Sequence, residues 1–101
     1  MEKIRGFEPV VIDKRRTEGQ LIMPQCATVS SAAYDIYSPV DAVIAPMQSV
    51  MVWTDIKAYF PADEVLLINV RSSMGKQPVM LANTQGWIDA DYYGNPDNDG
   101  N

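Results

Sequence analysis

Residues 64–70 read Glu-Val-Leu-Leu-Ile-Asn-Val, a run of large and β-branched apolar residues that is followed by a polar segment. Such a run is typical of a buried β-strand, because branched side chains pack well on a pleated surface. Similar runs of strand length recur at residues 10–12, 42–44, 50–53 and 79–81. Proline and glycine punctuate the chain at short intervals, which leaves little uninterrupted length for helices. The pattern predicts an all-β sandwich or barrel.

The best helical candidate is the segment from Thr54 to Phe60. It is short, it ends at Pro61, and its β-branched and aromatic residues suit a strand equally well. We therefore predict that this segment is a strand or irregular.

The length and composition predict one globular domain over residues 1–101. Hydrophobic residues make up 47% of the chain, too large a share for a chain that is disordered throughout. The chain has no histidine, which excludes histidine bases, histidine metal ligands and Ser-His triads. Its formal charge of −5 disfavours a nucleic-acid polymer as a partner, whereas a local basic patch can still bind a small anion.

Cys26 is the only cysteine, so an internal disulfide and a zinc framework are excluded and a reducing compartment fits best. Residues 1–6 lack the apolar core of a signal peptide. No apolar run approaches the roughly 20 residues that span a bilayer. We expect a cytoplasmic protein that makes no membrane contact.

Three segments combine residues that carry chemistry, and the first is residues 30–39, Ser-Ser-Ala-Ala-Tyr-Asp-Ile-Tyr-Ser-Pro. Asp35 is a candidate for holding a hydrated divalent cation, because a carboxylate that acts through water needs only to reach the ion's hydration shell. The alternative is a strand in which Asp35 caps a turn.

The second segment, residues 71–76, reads Arg-Ser-Ser-Met-Gly-Lys and directly follows the predicted strand 64–70. Two cations, two hydroxyls and a glycine suit a phosphate site, in which guanidinium, hydroxyl and backbone N–H groups converge on anionic oxygens. The spacing does not match a P-loop. The alternative is a solvated turn that ends the strand.

The third segment, residues 83–94, reads Asn-Thr-Gln-Gly-Trp-Ile-Asp-Ala-Asp-Tyr-Tyr-Gly. In an extended segment, Asp89 and Asp91 lie on one face. One of them is a candidate general base toward water, and Tyr92 or Trp87 is a candidate flat wall for a sugar or a base. The alternative is that both acids are solvated hairpin residues.

Residues 95–101, Asn-Pro-Asp-Asn-Asp-Gly-Asn, are all turn formers. A turn of this strength normally joins two strands. We expect an interrupted hairpin whose second strand is absent, supplied by another chain or cut off.

Taken in order, the three segments resemble the deoxyuridine triphosphatase (dUTP diphosphatase) family of the homotrimeric all-β type. The family's first motif, approximately Ala-Gly-Tyr-Asp-Leu-Tyr-Ser, is matched by residues 32–38 with Ala33 in place of the glycine. Its second motif, Arg-Ser-Ser/Gly-x-Gly, is matched by residues 71–75. Its third, Gly-x-Ile-Asp-x-Asp-Tyr-x-Gly, is matched by residues 86–94 without a gap.

The resemblance implies a distorted jelly-roll or barrel-like sandwich, and a homotrimer with active sites at subunit interfaces. It implies hydrolysis of dUTP to dUMP and diphosphate, by water attack on the α-phosphate with assistance from Mg²⁺. The family's fourth motif and glycine-rich C-terminal arm have no counterpart after Asn101, so we expect a C-terminally truncated chain without the last strands. The alternative is a catalytically inactive β-module that binds deoxyuridine nucleotide or serves in oligomeric assembly.

The resemblance also implies roles for single residues. Asp89 resembles the general base that orients the attacking water. Tyr92 resembles the tyrosine that stacks on deoxyribose and leaves no room for a 2′-hydroxyl, and Asp35 matches the acid on the metal side. The phosphate-side residues are Arg71, Ser72, Ser73 and Gly75, and the uracil-reading hairpin comprises Asn83 and the backbone around Gly86, Trp87 and Ile88.

Overall fold

The computed structural model describes residues 4–101, so residues 1–3 of the expected domain lie outside the described residues. The described chain forms four short strands: β1 (Gly6–Pro9), β2 (Ile56–Tyr59), β3 (Leu66–Ile68) and β4 (Gly86–Ile88). It also contains three 3₁₀ helices, at Ile12–Lys14, Ser72–Lys76 and Ala90–Tyr92. Among residues 4–101 no α-helix forms, which agrees with the predicted β class. None of these described helices has the length and apolar character needed to cross a membrane.

The strands pair as two antiparallel sheets of two strands each. In the first, Gly6 of β1 lies opposite Tyr59 of β2. In the second, Leu66 of β3 lies opposite Ile88 of β4. The strand predicted within residues 64–70 is therefore confirmed, and residues 54–60 contain a strand and no helix.

The described residues do not form the expected jelly roll or closed barrel, because the two sheets remain separate. The runs predicted as strands at residues 42–44, 50–53 and 79–81 have no ladder partner in this part of the chain. Residues 10–12 lead into the first 3₁₀ helix instead of a strand. A strand is stable only when neighbouring backbone satisfies its N–H and C=O groups, and a single copy of these segments lacks such neighbours.

The best-buried residues cluster at the start of β2. Besides Pro24 and Gly86, the buried apolar residues among those described are Val10 and Ile56, and the charged residues Asp55 and Lys57 are buried beside these two. The N–H of Val10 donates to the carbonyl of Asp55 at 2.9 Å, which continues the pairing of β1 with β2. Charged residues are seldom buried without partners, so their contacts decide how this core is held together.

The carboxylate of Asp55 is fully buried, with 0% exposure, and accepts four hydrogen bonds. Its donors are the N–H of Arg16 at 2.8 Å, the N–H and hydroxyl of Thr17 at 3.0 and 2.6 Å, and Nδ2 of Asn101 at 2.7 Å. The Oδ1 of Asn101 in turn accepts the N–H of Asp55 at 2.8 Å. Loss of solvent raises the pKa of Asp55, but the hydrogen bonds outweigh this and hold the pKa below its ordinary value.

Residues 95–101, which we call the tail segment, form the turns that their composition predicts. The N–H of Asp99 donates to the carbonyl of Asn95 at 2.7 Å, and the N–H of Gly100 donates to Oδ1 of Asn98 at 3.0 Å. These turns lie against β2, because Asn101 binds Asp55 as described above. The tail segment therefore closes over the core of the described chain.

We expect the substitution Asp55→Ala to lower the free energy of unfolding by about 3 kcal/mol. It leaves the partly buried N–H groups of Arg16 and Thr17 without their acceptor, and it places alanine at a φ of 58°, in the left-handed region. Urea unfolding followed by tryptophan fluorescence measures the change. Asp41→Ala, at an exposed carboxylate, is the matched control. A loss in Asp55→Ala no larger than in this control would contradict the role given to the buried carboxylate.

Candidate active site

A cavity of about 390 Å³ is lined by residues of β2, β3 and β4, by the 3₁₀ helix that follows β4 and by the end of the tail segment. Its volume is in the range of sites that bind small organic molecules. Most of the wall is apolar, with Trp53, Ile56 and Leu66 among its residues. The polar part of the wall comprises Thr54, Lys57, Asp89, Asp91, Tyr92 and Asn101.

Asp89 stands where β4 ends and the 3₁₀ helix Ala90–Tyr92 begins. Its carbonyl accepts the N–H of Tyr92 at 3.1 Å. Within this described turn its carboxylate makes no capping hydrogen bond, and the residue is exposed to water. The expectation that Asp89 and Asp91 share the face of an extended strand is wrong, because the strand ends at Ile88. The turn nevertheless brings both acids and Tyr92 to the same cavity.

The start of β4 depends on a close approach to β3. Gly86 is buried, and a Cβ built on it would lie 3.2 Å from Cβ of Ile68, its partner in the sheet. Just before β4, Thr84 has a φ of 68°, which is rare for a β-branched residue. Backbone strain of this kind is concentrated at functional sites. Thr84 lies within the hairpin that the resemblance assigns to uracil recognition, beside the exposed Asn83.

The structure brings the first and second motifs together. The backbone of Asp35 pairs with that of Gln25, and its Oδ1 lies 3.5 Å from Nε of Arg71. Because the Arg71 side chain is 65% exposed, this ion pair contributes little to stability. Its effect is to place a carboxylate and a guanidinium side by side at the surface.

The rest of the second motif is open to solvent. Ser72, Ser73 and Gly75 are exposed in the 3₁₀ helix Ser72–Lys76. A Cβ on Gly75 would meet nothing within 4 Å, so the described packing does not require glycine there. The space beside Gly75 is open to solvent in the described residues.

In the described residues, the cavity that contains Asp89 is separate from the surface formed by Asp35 and the second motif. The cavity wall includes Ile88, Asp89 and Tyr92 but neither Asp35 nor any residue of the segment 71–76. Asn83 and Gly86 also lie outside its lining. A single copy therefore presents a mostly apolar cavity with Asp89, Asp91 and Tyr92 on its wall and, apart from it, a surface that carries Asp35 and Arg71.

On the surface that carries Arg71, the described residues offer the carboxylate of Asp35 as a metal ligand but no set of ligands that surrounds an ion. Within residues 4–101 no group of three or more histidine, cysteine or acidic side chains is placed to hold a metal ion. Mg²⁺ keeps several waters and commonly takes its other ligands from substrate phosphates. The donor set at Asp35 therefore fits a magnesium ion held through water and phosphate.

Sequence reasoning missed an ion pair formed by Lys57, a residue of the cavity wall. Nζ of Lys57 lies 2.7 Å from Oδ2 of Asp99, which also accepts the N–H of Val11 at 2.9 Å. Burial lowers the pKa of Lys57, but the hydrogen bond and charge of Asp99 outweigh it and raise that pKa. The same bond from Lys57, with that from Val11, lowers the pKa of Asp99. The available signal was a lysine between apolar residues, in a segment predicted to be a strand or irregular.

The dUTPase family profile matches residues 19–97, which is most of the chain. The chain belongs to the dUTPase family. All three motifs fall inside the matched range, so the resemblance found in the sequence is confirmed. Ala33, which replaces the family's glycine, is not among the described residues with positive φ, so this backbone accepts a side chain there.

Three curated relatives show how far the similarity to this dUTPase-family chain extends. The deoxyuridine 5′-triphosphate nucleotidohydrolase of Lactococcus lactis is 43% identical over 99 residues, which cover 97% of this chain and 64% of the relative. The protein of that name in Corynebacterium glutamicum is 35% identical over 80 residues, or 78% of this chain and 54% of the relative. That of Escherichia phage T5 is 45% identical over 51 residues, which cover 50% of this chain and 34% of the relative.

The chain thus spans less than two thirds of the length of each of these relatives. No solved structure matches the chain at a comparable level of significance.

Acid should release the tail segment of this dUTPase-family chain. The pKa values of Asp55 and Asp99 lie below their ordinary value of 3.8. Their bonds therefore stabilise the fold fully above that value, and the stabilisation is lost as the pH falls below it, through the folded-state pKa values. Urea unfolding at a series of pH values should show this loss. It should be smaller in Asp99→Asn than in the exposed control Asp97→Asn, and equal acid dependence in both variants would contradict the assignment.

Proposed function

We propose that this chain hydrolyses dUTP to dUMP and diphosphate, with water attacking the α-phosphorus. The observation that carries the proposal is the position of Asp89, exposed to water at the end of β4 and on the wall of a cavity of suitable size. Membership of the dUTPase family supports the substrate, as do the names of the relatives. The pathway step would be the supply of dUMP in nucleotide metabolism.

Asp89 is the general base of the proposed reaction. An ionised carboxylate open to solvent can take a proton from the attacking water, and no histidine exists in the chain to compete. Tyr92 lines the same cavity and supplies an aromatic wall against the deoxyribose. Asn83 and the backbone of Gly86 and Ile88 read the uracil, which needs no charged side chain.

Arg71, Ser72, Ser73 and Gly75 bind the phosphates in this proposal. Arg71 supplies a guanidinium fork, and the two hydroxyls supply neutral donors beside it. Asp35 would hold Mg²⁺ through water, and the ion, when bound, would offset the negative charge of the phosphates. Because these residues lie apart from the cavity with Asp89, we propose that the second motif of one copy completes the site of another.

The exposed surface supports self-association. The chain exposes 8052 Å², whereas a compact monomer of its mass exposes about 5,700 Å². Large apolar side chains contribute to this surface, among them Val43 at 89% and Met51 at 76% exposure. We propose a homotrimer, in the cytoplasm, in which strands of neighbouring copies complete the jelly-roll sandwich and each site lies at a subunit interface.

The substitution Asp89→Asn should lower the rate of diphosphate release from dUTP by roughly 100-fold or more, because general-base assistance is lost. Nucleotide affinity should change little, since the amide keeps the shape of the side chain. The matched control is Asp91→Asn, two residues further on, which should retain most of the activity. Diphosphate release is measured with Mg²⁺ for all three proteins. Equal loss in both variants would remove Asp89 from its role, and an inactive wild type that still binds dUMP would favour the catalytically inactive module.

The second motif and the cavity should meet only in an assembly, so we expect a trimer at micromolar concentration. Light scattering after size exclusion gives the mass directly. Mixing an Arg71→Ala copy with an Asp89→Asn copy then tests the shared site, because some mixed interfaces pair two intact halves. Activity should reappear in the mixture, although each variant alone should have lost most of it. A strict monomer, or no recovery on mixing, would contradict a site built from two copies.

A further inference from the structure

The hydroxyl group of Tyr92 lies between two residues of the tail segment. Nδ2 of Asn98 donates a hydrogen bond to it, and the hydroxyl donates to the backbone carbonyl of Asn101 at 3.2 Å. Oδ1 of Asn98 is engaged by the N–H of Gly100, which fixes the amide with its Nδ2 toward the tyrosine. The ring that lines the cavity is therefore held at its polar end.

The tail segment that holds Tyr92 is itself anchored to β2. On one side of Gly100, Asp99 forms the buried ion pair with Lys57. On the other side, Asn101 exchanges two hydrogen bonds with Asp55, whose carboxylate is fully buried. Asn98 thus connects a rigid support to the aromatic wall of the cavity.

We propose that Asn98 is a positioning residue that sets the sugar selectivity of the site through Tyr92. The inference rests on the proposed function, in which the Tyr92 ring packs against the deoxyribose. A ring excludes a 2′-hydroxyl only when it cannot move away, because a mobile wall adapts to the larger sugar. The half-buried Tyr92 has few other means of fixing its hydroxyl end, and the donor on Asn98 supplies one.

The decisive variant is Asn98→Asp, which keeps the size of the side chain and its acceptor for Gly100 but removes the N–H donor to Tyr92. Asn95→Asp is the matched control. It makes the same chemical change in the same turn, where the side-chain oxygen accepts the N–H of Asp97. Calorimetric titration with dUMP and with UMP gives the ratio of the two dissociation constants. The ratio should fall about fivefold in Asn98→Asp, the effect of losing one hydrogen bond, and stay unchanged in Asn95→Asp.

A second variant covers the case in which Asn98→Asp does not fold. Tyr92→Phe keeps the ring and removes both hydrogen bonds, so the ratio should fall at least as far as in Asn98→Asp. Tyr93→Phe is its control, because the hydroxyl of Tyr93 donates to Glu8 instead. In the double variant that combines Asn98→Asp with Tyr92→Phe, the ratio should be the same as in Tyr92→Phe alone, because the hydroxyl on which Asn98 acts is already gone.

The outcomes separate this inference from the proposed function. A wild type that prefers dUMP, together with an unchanged ratio in Asn98→Asp or in Tyr92→Phe, overturns the positioning role alone. If the ratio falls equally in Asn98→Asp and Asn95→Asp, the positioning role is also overturned, because the effect then comes from the added negative charge. A wild type that binds dUMP and UMP equally, or binds neither, overturns the proposed function and the inference with it.

Discussion

The carboxylate of Asp55 joins three parts of the chain that are distant in sequence: the loop after β1, the start of β2 and the tail segment. Removing a carboxylate from water is costly, and only a full set of donors offsets that cost. Here backbone, hydroxyl and amide donors all point at one group. The apolar core beside it is small, with Val10 and Ile56 as its buried members among the described residues. The hydrogen bonds to Asp55 therefore hold together parts of the fold that apolar packing holds together in larger domains.

This arrangement places chemistry at the edges of the described chain. The tail segment fixes one side of the cavity, and the acids after β4 lie on its wall. Arg71 of the second motif lies on another surface, beside Asp35. A small domain has little interior in which to build a closed pocket. The proposed site between copies overcomes this limit, because each copy needs to present only one half of the required groups.

Local sequence signals predicted what depends on neighbouring residues. The apolar run 64–70 contains β3, and the order of the three motifs indicated the family that the comparison confirms. The sequence did not show which strands lack a partner, since that depends on chain segments far away in sequence. It also hid the role of Asp55, because a lone aspartate beside apolar residues looks the same whether solvated or buried. The roles of Asp89 and Tyr92 remain predictions that the geometry supports.

The dependence of Asp55 on Asn101 has a consequence for biosynthesis. The ribosome makes the chain from its N-terminus, so β1 and β2 leave it well before the tail segment exists. Until then, Oδ1 of Asp55 has the N–H of Arg16 as a donor but lacks Nδ2 of Asn101, and the N–H of Asp55 lacks its acceptor. Water must occupy these positions, and the start of β2 stays hydrated. Closure of the core and fixation of Tyr92 are therefore coupled events that await residues 98–101, and a nascent chain that stalls before residue 98 exposes an unfinished cavity.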